Sequence, residues 1–242
     1  MPSATDSSGS VPKRQIWWVL LPAMILPTLS ALFYFVLFKE ATISKPIYVA
    51  TKFFTILWPI IATTLILRQR IALWGESGAQ HRRSVLPGLL IGLAILAVMV
   101  IWMKSPWSQI VLAGGGGVRS KVASLGFLDH FIPFAIFITV FHSFIEEFYW
   151  RWFVFGNLRK VVALPVAHAL AAVSFAAHHL VVTCQYYPFW FAFGLTVCVA
   201  IGGLIWSLLF QRYHSLLGSW LCHVCVDAGL MWVGYQMIHQ GT

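Results

Sequence analysis

The chain has 242 residues, of which 60% are hydrophobic and 10% charged, at a mean hydropathy of +0.82; a soluble domain carries about 25% charged residues. That balance excludes an ordinary soluble domain and predicts an all-α fold, a polytopic transmembrane helical bundle. The formal charge of +9 is spread between apolar runs, with no basic stripe interleaved with aromatics, so no nucleic-acid partner is expected.

In chain order, residues 1–15 are polar and rich in Ser, Thr and Pro and are expected to form a disordered N-terminal tail. Apolar runs then occupy 16–38, 47–67, 85–103, 128–155, 161–183, 187–210 and 216–238. Each approaches or exceeds the roughly 20 residues that a hydrocarbon core requires, which predicts seven to eight spans. The first run is too long for an ordinary signal-peptide core and is read as an uncleaved span. Residues 16–104 hold three spans almost devoid of intramembrane polar groups and are expected to be scaffold. A connector over 105–127 carries Gly114, Gly115, Gly116 and Gly117 and is expected to be a flexible extracytoplasmic loop. It is not a phosphate cradle, because no Lys-Ser/Thr follows it and no strand precedes it. Residues 128–242 hold the polar groups that carry chemistry. The chain shows no internal repeat, which disfavours a transporter of inverted halves.

The basic residues read as topology signals. With the N-terminus in the cytoplasm, Lys13, Arg14, Arg68, Arg70, Arg82, Arg83, Arg151, Arg159, Lys160 and Arg212 fall at cytoplasmic ends, and Lys39, Lys45, Lys52, Lys104, Arg119 and Lys121 fall outside. The expected setting is a multi-pass protein of a bacterial-type inner membrane, in contact with membrane lipid. Tryptophans near span ends, Trp17, Trp18, Trp102, Trp107, Trp150, Trp152, Trp190 and Trp220 among them, read as interfacial anchors. Cys184, Cys198, Cys222 and Cys225 lie in or beside apolar runs. The Cys222-x-x-Cys225 spacing lacks a second pair, so small buried hydrophobes are expected rather than a disulfide framework or a zinc half-site.

Adjacent glutamates, Glu146 and Glu147, interrupt the apolar run 128–155. A carboxylate at the centre of a membrane helix costs roughly 2.5–3.5 kcal/mol, so an intramembrane pair marks a functional site. At about 100° per residue, Glu147 and Arg151 share a face and can form an i,i+4 ion pair, whereas Glu146 points about 100° away and can face a cavity. His223 and Asp227 are also four apart, as are Phe175 and His179, which leaves His178 turned aside. With cytoplasmic helix ends near 155, 168 and 216, Glu146, His179 and Asp227 lie roughly 14–16 Å deep at 1.5 Å per residue and can meet at one level.

Glu146-Glu147-x-x-x-Arg151, then Phe175-x-x-x-His179, then His223-x-x-x-Asp227, in this order on three membrane segments, resemble the motifs of the CPBP family, the intramembrane glutamic proteases that include CAAX prenyl endopeptidases and the bacterial Abi and bacteriocin-processing proteins. The resemblance covers about 141–238. It implies hydrolysis of a peptide bond of a membrane-associated or lipidated protein or peptide, without a metal or other cofactor. It also implies that Glu146 and His179 activate water, that His223 and Asp227 stabilise the oxyanion, and that Glu147 and Arg151 support the geometry. A carboxylate in a dry site is a stronger base than one in water, and donors held there act strongly on developing negative charge. One departure is Asp227 where the family often has asparagine: an ionised aspartate cannot donate, so it acts protonated or instead orients His223. His178 is expected to support His179 from beside it.

Three other readings stand beside this one. A zinc-dependent membrane metalloprotease would use Glu and His as ligands, although no His-Glu-x-x-His occurs. A proton- or ion-coupled transporter would use Glu, His and Asp as a relay. A partner-binding scaffold without cleavage is the third. His81, His130, His142, His168, His214 and His239 are read singly as structural or surface groups.

Overall fold

A computed structural model describes residues 11–38, 44–71 and 78–239, without the side chains at 44, 45 and 48. The tail expected over 1–15 therefore falls outside the described residues up to residue 10, as do Lys39 and the Lys45 side chain. Helix α1 begins already at Lys13. It runs over Lys13–Leu32 and ends in a π-helical turn, Phe33–Leu37. α2 covers Ser44–Ile61 and a π turn, Ala62–Ile66. α3 is Gly78–Met103, α4 Ser108–Leu112 and α5 Gly115–Ser124. α6 is the long composite helix Phe131–Val161, followed by α7 (Leu164–Thr183), α8 (Phe189–Tyr213) and α9 (Leu216–His239). No strand occurs among the described residues, and seven of the helices are long and apolar enough to cross a membrane. The protein is an integral multi-pass bundle.

The physical reason is the bilayer. Without water to satisfy the backbone, a spanning segment closes its own hydrogen bonds as a helix. The outer faces stay apolar: Leu86, Leu90, Leu93, Val98 and Ile101 of α3 and Phe189, Trp190, Phe193 and Ile201 of α8 are exposed large hydrophobics. Apolar side chains gain little by leaving lipid for protein, so helix contacts rely on close packing of small residues. α3 and α9 show this. A Cβ on Gly88 would collide with the Gly218 backbone, one on Gly92 would lie 2.9 Å from Cys222 Cα, and one on Gly218 would lie 2.6 Å from the Ser84 carbonyl oxygen.

α6 forms the centre of the bundle. Glu147, Tyr149, Phe153, Val154, Phe155 and Leu158 along it have no exposed surface. Its Tyr149 hydroxyl donates to Ala23 O of α1 at 2.8 Å, and Trp220 Nε1 of α9 donates to Val140 O at 3.1 Å. Two π-helical stretches, Phe137–His142 and Phe148–Phe155, flank a short α-helical segment, Ser143–Glu147. Such widened turns occur frequently at functional sites, where they re-aim side chains.

The connector expected as a flexible loop over 105–127 is instead helical and packed. α4 and α5 occupy most of it, Gly114 abuts the Tyr187 ring, and Gly115 lies against the Met237 carbonyl. Glycine serves close approach here rather than freedom. α6 also continues to Val161, and α7 starts at Leu164 with Pro165 in its first turn, rather than ending near 155 and starting near 168.

Candidate active site

Glu146 and Glu147 lie in the α-helical segment of α6, where one residue of helix turns them to different neighbours. Glu147 is fully buried. Its Oε1 lies 3.2 Å from Arg151 Nη1 and accepts a hydrogen bond from His223 Nδ1 at 2.9 Å. The ion pair predicted from the i,i+4 spacing is present, and it is shared with a histidine of α9. The Arg151 guanidinium stacks between the Phe175 and Trp206 rings, 4.5 and 4.7 Å from their centroids. Gly203 of α8 leaves room for it, since a Cβ there would lie 3.4 Å from Arg151 Nη2.

Glu146 faces a cavity. Its Oε1 lies 3.2 Å from His142 Nε2 and its Oε2 lies 3.7 Å from His223 Nε2. His223 is therefore oriented at both ring nitrogens. Nδ1 carries the proton it gives to Glu147, its ring stacks on Trp206 at 3.8 Å and 14°, and Nε2 is aimed between Glu146 and Asp227 Oδ1, 3.5 Å away. Phe175 packs edge-on against both His179 and His223, at 4.9 and 6.3 Å. His179 Nδ1 is held by Phe175 O at 3.1 Å, so Nε2 is its outward nitrogen. Ligand atoms of Glu146, His178 and His179 all lie within 4.8 Å of one another. The three motifs thus meet at one place, as the depth reading predicts.

The level differs from the expected one. Glu146 is fifteen residues from the Val161 end of α6 and His179 fifteen from the Leu164 end of α7, about 22 Å each at 1.5 Å per residue. Glu146 and His179 thus sit deeper than expected, His179 only four residues from the Thr183 end of α7, whereas Asp227, eleven residues from the Leu216 end of α9, keeps the expected depth of about 16 Å.

The cavity measures about 280 Å³, and α1, α2, α6 and α7 line it. Pro27, Ala31, Phe35 and Val182 supply apolar wall, and Ser30, Thr51 and Lys52 add polar groups opposite Glu146 and His179. Thr51 Oγ1 donates to Ser30 Oγ at 2.6 Å. Three readings gain a place in the site. Residues 16–104 are not mere scaffold, because they contribute one wall of the site. Lys52, read as an outside topology charge, is half-buried on that wall. His142, read as a structural histidine, touches Glu146. The signal that could have found it is its own i,i+4 spacing to Glu146. His178 also lines the cavity, with Nδ1 buried and without a hydrogen-bond partner, and its ring stacks parallel to Trp150 at 6.0 Å. The four cysteines are free, but the expected burial holds for Cys222 alone: Cys184 and Cys225 are half-buried and Cys198 is exposed on the outer face of α8.

Residues 128–229 match the family model described as Type II CAAX prenyl endopeptidase Rce1-like. No curated protein and no solved structure matches the chain. The matched segment contains all three motifs and the whole of α6, α7 and α8.

Proposed function

From the membership of this region in the CAAX-type intramembrane protease family, we propose that the protein hydrolyses a peptide bond of a membrane-associated substrate by a glutamate-type mechanism. The observation that carries this reading is the division of labour between adjacent carboxylates: Glu147 is bound on its buried side by Arg151 and His223, while Glu146 faces the cavity beside His179. A water between Glu146 and His179 Nε2 gives its proton to the Glu146 carboxylate as its oxygen attacks the scissile carbonyl carbon. His223 acts as an imidazolium among the Glu147, Glu146 and Asp227 carboxylates: its Nδ1–H stays bonded to Glu147 while its Nε2–H donates to the carbonyl oxygen as negative charge develops there. The C–N bond then breaks, and the leaving amine takes the proton from Glu146. Asp227 acts through His223 Nε2, which it approaches at 3.5 Å. The apolar wall of the cavity suits a lipid-anchored or otherwise membrane-embedded peptide.

The test compares membrane proteomes by terminal peptide mapping in cells carrying the wild-type chain, Glu146→Gln or His179→Ala. New termini present with the wild type and lost in both variants support the reading. Unchanged termini together with loss of a proton-linked uptake would sink it and favour a transporter. A second reading rests on the Glu146, His178 and His179 cluster, whose donor atoms are close enough for a metal. Loss of cleavage after chelation, restored by zinc, would favour that reading, and cleavage that survives chelation favours the metal-free one.

A further inference from the structure

A second cavity, of about 220 Å³, opens where α2, α6 and α8 end, away from the Glu146 site. Its floor is apolar, formed by Trp152 and Phe210, and its rim carries Arg70, Arg159 and Lys160. None of the acidic residues described, Asp129, Glu146, Glu147 and Asp227, lines it. The nine basic residues at this end of the bundle, Lys13, Arg14, Arg68, Arg70, Arg82, Arg83, Arg159, Lys160 and Arg212, meet no carboxylate among the described ion pairs.

The cavity wall is specifically arranged. Lys160 Nζ donates to Gln69 Oε1 at 3.1 Å and to Asn157 Oδ1 at 2.9 Å, which fixes the ammonium at the rim with one of its three donors left over. Thr63 is 4% exposed, lines the cavity, and its Oγ1 has no hydrogen-bond partner. A buried hydroxyl left unpaired is unfavourable, so a polar ligand that reaches it gains by pairing it. Gly156 keeps the space open: a Cβ there would meet only the carbonyl of Arg151 at 3.6 Å, with nothing across the cavity. Cations at the rim, a hydroxyl inside and an apolar floor at the level of the helix ends match a phosphate ester whose remaining part is apolar.

We propose that this cavity is a phosphate-binding site, taking either the headgroup of an anionic phospholipid or a free phosphate, with Lys160 and Arg70 on the anionic oxygens and the Thr63 hydroxyl donating to one of them. The test is native mass spectrometry of the purified full chain, titrated with phosphatidylglycerol, phosphatidylcholine or inorganic phosphate. The variants are Arg70→Gln, Gly156→Leu, and the control Arg82→Gln, which removes the same charge at the same end without lining the cavity. Arg70 is exposed, so its variant leaves the fold intact. Preference for phosphatidylglycerol over phosphatidylcholine, reduced at least about fivefold by Arg70→Gln and by Gly156→Leu but not by Arg82→Gln, supports the site and assigns it to lipid. The same variant pattern with inorganic phosphate alone supports the site and assigns it to a free phosphate. Equal effects of Arg70→Gln and Arg82→Gln, or no anion preference at all, would overturn it.

Discussion

The buried pair Glu147 and Arg151 offers a sharp test of what holds the site together. Glu147→Gln keeps an oxygen that can accept from His223 Nδ1, yet leaves the Arg151 guanidinium buried with no compensating charge at 3.2 Å. Removing one partner of a buried pair costs roughly 3–5 kcal/mol, whereas replacing both by apolar groups of similar volume is often neutral. Arg151 also lies over two aromatic rings, at 4.5 and 4.7 Å, and each such contact is worth about 0.5–2 kcal/mol. A methionine at 151 keeps packing against those rings while removing the charge. Glu147→Gln is therefore expected to destabilise by about 3–5 kcal/mol, a fall in Tm on the order of 10 °C for a chain of this size. The double variant Glu147→Gln/Arg151→Met is expected to recover most of that loss. Thermal unfolding of the purified protein in one detergent, followed by far-UV circular dichroism, measures both. If the double variant is as unstable as Glu147→Gln, or if the single substitution shifts Tm by less than about 2 °C, the ion pair is not what stabilises this contact between α6, α8 and α9.

Further outcomes follow from the same geometry. Asp227→Asn is expected to retain more cleavage than Asp227→Ala, because an amide oxygen can still meet His223 Nε2–H at the 3.5 Å position; equal loss in both, measured as kcat/KM on one peptide, would remove Asp227 from that role. His142→Ala is expected to lower kcat by about tenfold or more while leaving Tm nearly unchanged, since it touches Glu146 at 3.2 Å from a partly exposed position. Gly218→Val is expected to lower stability by at least about 1–3 kcal/mol, because its Cβ would lie 2.6 Å from the Ser84 backbone oxygen; a Tm within about 2 °C of wild type would refute the close α3–α9 packing. In the turn between α7 and α8, burial pushes the Tyr187 hydroxyl up to about 12, while it donates to Val111 O at 3.0 Å. A raised folded value means that its stabilising contribution is present below about pH 10 and is lost as pH rises through about 12. Ultraviolet absorbance titration of wild type against Tyr187→Phe, showing one phenol that ionises only near pH 12, is the expected signature, and a difference spectrum that titrates near pH 10 would contradict it.

Much of this protein was legible in one dimension because two of its governing forces are local. The bilayer demands helices of a known length with apolar surfaces, so the seven spans fall where the apolar runs lie, with ends shifted by only a few residues at most of them. Helical spacing is equally local, and it paired Glu147 with Arg151 and turned Glu146 aside before any fold was in view. What only the tertiary structure decided depends on which helix faces lie against one another. Lys52 and Thr51 came to the cavity of Glu146 because α2 packs beside α6, a relation no spacing within α2 encodes. His223 is held by Glu147 through a contact that crosses 76 positions of sequence. The glycines 114 to 117 read as a loop because glycine disfavours helices in isolation, yet a Cβ at Gly115 would lie 2.7 Å from the Met237 backbone carbonyl, and one at Gly114 would push on the Tyr187 ring. The period of an apolar run thus says that a helix crosses the membrane and which residues share its face, while the assembly of several such faces into one dry cavity is settled by long-range packing.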